Sequence, residues 1–110
     1  MAANYTITVA AGETIQDAFT WKQPSGAAVN LTGYTAKMQA RDKAGLLILE
    51  AESGSGITLG GAAGTVTLSV PTTGVAAGGY AYDLFLTSGG GVVTQLVEGD
   101  LVVNPAVTQL

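Results

Sequence analysis

The sequence predicts an all-β protein with a single domain, residues 1–110, and three observations support this fold class. Thr, Val, Ile, Leu and Tyr alternate with polar residues over short runs, which is the period of a half-buried strand. Glycine-rich breaks separate these runs at intervals of about 8 to 12 residues. A chain of 110 residues holds one hydrophobic core. Together these features indicate an antiparallel β-sandwich of about eight or nine short strands, with a small closed barrel as the alternative.

The first two predicted strands occupy residues 4–10 and 14–22. In the first strand, Tyr5 shares the core face with the aliphatic side chains that follow it at alternate positions. In the second strand, Trp21 lies on the same face as Phe19. Trp21 is therefore the largest core candidate in the first half of the chain.

A turn and a short connection at residues 23–33 lead into the middle strands, because Pro, Ser and Gly favour tight turns. Residues 34–43 alternate apolar and polar side chains, which predicts a half-buried strand with a polar outer face. A tight turn is predicted at residues 42–45. The strands after this turn are predicted at residues 44–52, 57–59 and 64–71.

The last part of the chain predicts a hairpin. Residues 72–79 are too few and too rich in glycine for a stable helix, so they are predicted to form a crossover loop. A strand then begins at Tyr80, the glycines at 89–91 form the turn, and the final strand is bent by a bulge at Gly99. Residues 106–110 form a short tail that is either mobile or docked on a neighbouring subunit.

Composition narrows the range of functions. The chain has 8 acidic and 4 basic residues, and its net charge of -4 argues against nucleic-acid phosphate as the main partner. Charged residues make up 11% of the sequence, against about 25% in typical soluble domains. The surface is therefore rich in neutral polar side chains, or neighbours in an assembly cover part of it. The longest aliphatic run, Leu46–Leu49, is too short to span a membrane, and the N-terminus lacks the pattern of a secretory signal.

The residue types used in common catalytic relays are missing. Without His or Cys, neither a Ser-His-Asp nor a Cys-His relay can be assembled, and thiolate metal sites are excluded. The best carboxylate pair is Glu98 and Asp100, which project to one side of an extended strand and suit mutual pKa shifts or a calcium ion. We favour the competing interpretation, an exposed polar pair beside a bulge. The glycine clusters lack the Lys-Ser or Lys-Thr that follows a phosphate loop and are predicted to be turns. We therefore expect no enzyme, no metal and no cofactor.

Three of the four cations are candidates for an interface. Lys37, Arg41 and Lys43 have the same parity on one predicted strand, which places them in a basic stripe on an otherwise acidic molecule. Such a stripe suits an acidic patch on another subunit. The alternative is a solvated strand face that blocks unwanted edge pairing, and we favour it.

Three aromatic residues are candidates for specifying the fold. Tyr80 begins a strand after a crossover, as does the tyrosine of the tyrosine corner in immunoglobulin-like sandwiches. Tyr82 then occupies the position of the cysteine in disulfide-bearing domains of that type. The alternative for both tyrosines is simple core packing. Trp21 is assigned to the core by its parity with Phe19.

Three segments carry a resemblance when they are taken in order: residues 18–41, 56–86 and 89–108. In this order they resemble the small immunoglobulin-like domains of tailed-phage virions, and among these the N-terminal domain of siphophage baseplate upper proteins. The resemblance covers nearly the whole chain. The sequences that carry it are Leu31-Thr32-Gly33, the crossover at 73–82 into Asp83-Leu84, and Glu98-Gly99-Asp100 with Val107-Thr108. In baseplate upper proteins this domain precedes further segments that reach receptor-binding proteins, whereas this sequence ends at Leu110. A stand-alone accessory of the tail, neck or capsid therefore stays open.

The resemblance implies a structural virion role without catalytic residues. We expect a non-enzymatic protein of a tailed-phage particle, made in the host cytoplasm, that acts by adhesion between subunits in several copies. A tail, baseplate or neck position is favoured, and capsid decoration is the alternative. The expected partners are other virion proteins and further copies of the chain, with no nucleic acid and no membrane. An alternative of a different class is a carbohydrate-binding or host-adhesion module, which requires Trp21 and the tyrosines to form an exposed stacking platform.

Overall fold

The computed structural model describes residues 3–107, and within them it contains nine strands and one short 3-10 turn at Gly61–Ala63. The strands are β1 (Ala3–Asn4), β2 (Ile7–Ala10), β3 (Thr14–Thr20), β4 (Thr35–Arg41), β5 (Leu47–Ser53), β6 (Gly56–Leu59), β7 (Thr65–Pro71), β8 (Gly78–Thr87) and β9 (Val93–Asn104). Of the predicted C-terminal tail, residues 108–110 lie outside the described residues. No helix in the described part of the chain is long and apolar enough to cross a membrane.

All nine strands belong to one mixed sheet that curls as a half-barrel. The strand order is β1-β9-β8-β4-β5-β6-β7-β3, and β2 also pairs with β9. The two ends of this order, β1 and β3, do not pair with each other within residues 3–107, so the sheet is open and is not a closed barrel. We call β1, β2, β9, β8, β4 and β5 the first half of the sheet, and β6, β7 and β3 the second half.

The prediction of a wholly antiparallel sheet is wrong at two places. The strands β1 and β2 run parallel to β9, because the N-terminal segment returns beside the last strand. The strands β5 and β6 also pair in parallel over two residue pairs. Gly54 (φ 86°) and Gly56 (φ 96°) form the corner between them, and these positive φ angles favour glycine. At this corner the chain passes from the first half of the sheet to the second.

The strand predicted at residues 4–10 is interrupted at Tyr5 and Thr6. Ile7 and Val9 are buried, as the alternation predicts, but Tyr5 is 43% exposed. The register with β9 is the same on both sides of the interruption. The break is therefore local and lies opposite Gly99, where the Tyr5 carbonyl turns inward.

The alternation predicted for the middle and late strands is confirmed by burial. Ala36, Met38 and Ala40 are buried along β4, and Leu84 and Leu86 are buried along β8. Both halves of the sheet contribute to one hydrophobic cluster. Its members are Ile7, Val9, Ile15, Leu31, Ala36, Met38, Ala40, Ala51, Ile57, Val66, Leu68, Val70, Tyr82, Leu84, Leu86, Val97, Leu101 and Val103.

The bulge in β9 lies at Leu96 and not at Gly99 as predicted. Leu84 pairs with Val97 whereas Phe85 pairs with Gln95, so Leu96 is the extra residue. Gly99 keeps a regular place in the ladder. A second register shift inserts one extra residue near the start of β5, where Ile48 has no partner on β4.

Candidate interaction surface

The outward side chains of β5, β4, β8 and β9 form a surface that we call the charged face. Lys37 and Arg41 project onto it from β4. Lys43 does not belong to the same strand row, contrary to the prediction, because β4 ends at Arg41. The carboxylate of Asp42 then accepts hydrogen bonds from the backbone N–H groups of residues 44 and 46 (2.9 Å each), which forms the turn that contains Lys43.

Both strand cations are engaged by neighbours on the charged face. Lys37 Nζ lies 3.8 Å from Glu50 Oε2, and the same oxygen accepts a hydrogen bond from Gln39 Nε2 (2.5 Å). Arg41 donates to Gln39 Oε1 (2.9 Å) and to the carbonyl of Gly45 (3.0 Å). These groups are exposed, so the ion pair contributes at most about 1 kcal/mol to stability. Lys37 and Arg41 thus already have acidic or polar partners on the charged face.

Carboxylates flank the cations on both sides. Glu50 and Glu52 lie on β5, Asp83 lies on β8, and Glu98 and Asp100 lie on β9. Glu98 and Asp100 are exposed and project outward on either side of a glycine. Within residues 3–107, no group of three or more His, Cys, Asp or Glu side chains could hold a metal ion. On the charged face, the basic residues of β4 thus lie between the acidic residues of β5 and those of β8.

A shallow groove of about 490 Å³ crosses the charged face. Lys37, Arg41 and Asp83 supply its charged groups, and Phe85 and Val93 supply much of its apolar lining. Phe85 is half-buried, whereas Val93 is 60% exposed. This arrangement suits contact with a polar surface that has an apolar centre.

The outward side chains of the second half of the sheet form a different surface, which we call the neutral face. Every one of them is uncharged, and most carry a hydroxyl group. They are Thr14, Gln16, Ala18 and Thr20 on β3, Thr65, Thr67, Ser69 and Pro71 on β7, and Thr58 on β6. The register places Thr20 opposite Thr65, and Thr67 opposite Thr58. Composition predicts a surface of low charge, but it gives no signal that one whole face lacks charge.

Two of the three predicted fold-specifying residues make long-range or corner contacts through their hydroxyl groups. Tyr80 donates to the carbonyl of Ala76 (2.5 Å), four residues back, which is the contact found in a tyrosine corner. Tyr82 is 4% exposed and donates to the carbonyl of Tyr5 (2.6 Å). Tyr80 thus anchors the crossover to the start of β8, and Tyr82 anchors the N-terminal segment to the same strand.

Trp21, the third of these residues, lies at the margin of the core. It is half-buried, and its ring meets that of Tyr34 edge to face, with centroids 6.1 Å apart at 89°. Its backbone N–H donates to the carbonyl of Gly64 (2.9 Å). The indole packs against the protein and does not form an open platform for stacking a sugar.

A contact that sequence reasoning missed joins the two halves of the sheet. The hydroxyl of Tyr5 donates to Asp17 Oδ1 on β3 (3.2 Å), and its ring packs edge to face on Phe19 with centroids 5.4 Å apart. The charge of Asp17 raises the pKa of Tyr5, and burial together with Asp17 raises the pKa of Tyr82. The sequence signal for this contact is Asp17, which is the one charged residue of β3.

Comparison with known proteins finds a similar fold but no matching family. No protein-family model matches this chain, and no curated protein matches it. It is similar to the crystal structure of CopC from Methylosinus trichosporium OB3b, with 18% sequence identity and a TM-score of 0.56 over 96% of this chain and 89% of that chain. Extracellular domains 3–5 of Drosophila OTK align with 20% identity and a TM-score of 0.35, over 98% of this chain and 34% of that chain. At these identities the likeness to CopC concerns the all-β fold alone.

Proposed function

We propose that this chain is a non-enzymatic structural protein of a tailed-phage virion that acts by adhesion between subunits. The observation that carries the proposal is the neutral face, which is free of charge across three strands. The cores of protein interfaces are depleted in charged residues, because a covered charge loses its hydration. A surface of Thr, Ser, Gln and Ala loses less hydration free energy when a partner covers it. The segregation of charge onto the other face therefore supports a subunit with one side against a neighbour.

Exposed apolar side chains support contacts with more than one neighbour. Leu46 (63% exposed) and Leu47 (41% exposed) lie at the turn between β4 and β5. Val92 (66% exposed) and Val93 (60% exposed) lie at the turn between β8 and β9. Because β4 and β8 are antiparallel, these two turns lie at opposite ends of the first half of the sheet. Such an arrangement suits a protein present in several copies that is covered at both ends.

We propose an immunoglobulin-like sandwich as the finer description of the fold. Its two layers are β3-β7-β6 and β2-β9-β8-β4-β5, taken from the strand order. Named in chain order, they correspond to strands B, E and D in one sheet and to G, F and C in the other, with the N-terminal strands beside G. The Tyr80 contact with Ala76 supports the same assignment.

A tail, baseplate or neck position is our first choice within the virion, following the resemblance of the sequence. Capsid decoration is the alternative, and the neutral face supports it equally well. A carbohydrate-binding module has less support, because Tyr82 is 4% exposed and Trp21 packs on Tyr34. The partners proposed are other virion proteins and further copies of the chain.

The test measures binding of the purified protein to immobilised virion proteins of a tailed phage that carries it. Thr67→Lys places a charge at the centre of the neutral face, and Thr35→Lys makes the same change on β4 of the charged face. We expect wild type and Thr35→Lys to bind alike and Thr67→Lys to bind about tenfold more weakly, since the new charge must be desolvated. Absence of wild-type binding to every virion protein would refute the proposed function. Equal binding by both variants would refute the role of the neutral face.

A further inference from the structure

One edge of the sheet has backbone groups without partners. The strand β3 pairs with β7 at all seven of its positions without a register shift, and no described strand lies on its other side. Trp21 donates to the carbonyl of Gly64 and accepts from the N–H of Val29 (2.9 Å each), so odd-numbered residues bond toward β7. The even-numbered residues therefore direct their N–H and C=O groups to the free edge. They are Thr14, Gln16, Ala18, Thr20 and Lys22, and none of these backbone groups has a partner among residues 3–107.

This edge lacks the short length and the extra residue that protect the other edges. The outer side of β5 has an extra residue at Ile48 and two acidic side chains, Glu50 and Glu52. The N-terminal edge is made of strands of two and four residues. In contrast, β3 is seven residues long and contains no proline and no bulge; its one charged side chain, Asp17, accepts a hydrogen bond from Tyr5, and Lys22 lies beyond its end. Long, flat strand edges without proline or a bulge are templates for pairing with another chain.

We propose that β3 pairs with β3 of a second copy of this chain, in antiparallel orientation about a two-fold axis at Ala18. The outward backbone groups run from Thr14 to Lys22, and Ala18 is the centre of that range. Pairing Ala18 with itself therefore places residue 16 opposite residue 20 and residue 14 opposite residue 22, and every outward group gains a partner. The inference goes beyond the proposed function, because it names the partner and does not require a virion.

Charge selects this register and orientation. A two-fold axis at Asp17 places two carboxylates directly opposite each other, which is unfavourable. An axis at Ala18 instead places Asp17 opposite Phe19 of the second copy. A parallel, in-register arrangement would likewise place Asp17 beside Asp17 of the second copy.

The joined sheet extends the neutral face across both copies. Its six strands run β6-β7-β3 and then β3-β7-β6 of the second copy, and within the bounds of these strands no outward side chain is charged. An edge contact covers little area, so the dimer is weak in isolation and is strengthened where many copies assemble.

The test exploits the fact that residue 18 faces itself across the axis. Sedimentation velocity over a wide concentration range should show a reversible dimer for wild type. Ala18→Lys and Ala18→Glu should each weaken dimer formation by about tenfold, because like charges meet at the axis. An equimolar mixture of the two variants should recover it, because Lys then meets Glu. Far-UV circular dichroism checks that each variant is folded.

The matched controls are Thr67→Lys and Thr67→Glu, which carry the same charges on β7 away from the edge and should leave the dimer unchanged. A wild type that stays monomeric at the highest concentration overturns the proposal. The proposal is also overturned if a mixture of Ala18→Lys and Ala18→Glu fails to recover the dimer. The same holds if the Thr67 variants weaken the dimer as much as the Ala18 variants do. A dimer that behaves as expected but binds no virion protein refutes the proposed function alone, so the two failures are distinguishable.

Discussion

Gly99 lies opposite Tyr82 in the ladder between β8 and β9, and the backbone of Tyr5 occupies the space that a side chain at position 99 would need. A Cβ atom there would overlap the carbonyl oxygen of Tyr5 and lie 2.9 Å from its carbonyl carbon. Gly99 is not among the glycines with positive φ, so the constraint is steric and not conformational. Tyr5 has little freedom to move away, because its N–H donates to the backbone carbonyl of Glu98 (3.0 Å) and its own carbonyl accepts from the hydroxyl of Tyr82.

Gly99→Ala is expected to lower the free energy of unfolding by about 2 to 3 kcal/mol, because overpacking forces the Tyr5 backbone to shift. Urea denaturation followed by Trp21 fluorescence measures the change. Gly79→Ala is the matched control, since a Cβ at position 79 meets nothing within 4 Å. The control should change the free energy of unfolding by less than about 0.5 kcal/mol. Equal effects of the two substitutions would contradict the steric explanation.

The crossover between β7 and β8 is fixed at both ends by hydroxyl groups. Thr72 is fully buried and donates from Oγ1 to the carbonyl of Glu13 (2.6 Å), which ties the crossover to the turn between β2 and β3. At the other end, the hydroxyl of Tyr80 donates to the carbonyl of Ala76. A segment too short for a helix is thereby held in place by side-chain hydrogen bonds.

Thr72→Val is expected to lower the free energy of unfolding by about 1 kcal/mol, because it removes the partly buried hydrogen bond from the Thr72 hydroxyl to the Glu13 carbonyl. The neighbouring Thr73 is exposed, so Thr73→Val provides the same chemical change without the buried hydrogen bond. Thermal unfolding of both variants distinguishes them. A similar loss of stability in Thr73→Val would show that valine itself, and not the lost hydrogen bond, disfavours the loop.

Individual strands were predictable where a local pattern determines them. The alternation around Met38 and Leu84 predicts which side chains are buried, because a strand with one solvated face must alternate. The break after β1 was not predictable in this way, since it depends on Gly99, which is distant in sequence and adjacent only after folding. The bulge at Leu96 likewise depends on the pairing partner. Local patterns therefore predicted the elements, and long-range pairing decided their irregularities.

At the scale of the whole molecule, charge is segregated between two faces. The sequence predicted that Lys37 and Arg41 share a side, because both lie on one strand. It did not predict that the acidic residues of β5, β8 and β9 surround them, since neighbouring strands are not neighbours in sequence. Nor did it predict that β3, β7 and β6 share an uncharged surface. A site made of several strands becomes visible only when the strand order is known.

The two halves of the sheet are linked at one margin by Tyr5, Asp17 and Tyr82. The pKa of Tyr82 is raised first by burial and then by the carboxylate of Asp17. The charge of Asp17, and the hydrogen bond to it, raise the pKa of Tyr5. Since both tyrosines hold their protons more tightly in the folded chain, the unfolded chain releases protons at lower pH than the folded one. Their contribution to stability is therefore complete below about pH 10, the ordinary pKa of tyrosine, and is lost as the pH rises above it.

The free energy of unfolding of wild type should accordingly fall as the pH is raised from about 9 to 12. Tyr82→Phe should reduce this dependence, because it removes the more deeply buried of the two hydroxyls, and it should also cost about 1 kcal/mol near neutral pH through the lost hydrogen bond to Tyr5. The measurement is urea denaturation at a series of pH values. The hydroxyl of Tyr34 makes no side-chain hydrogen bond within residues 3–107, so Tyr34→Phe is the control and should keep the pH dependence of wild type. If Tyr82→Phe and wild type lost stability in parallel above pH 10, proton release from Tyr82 would not be the cause.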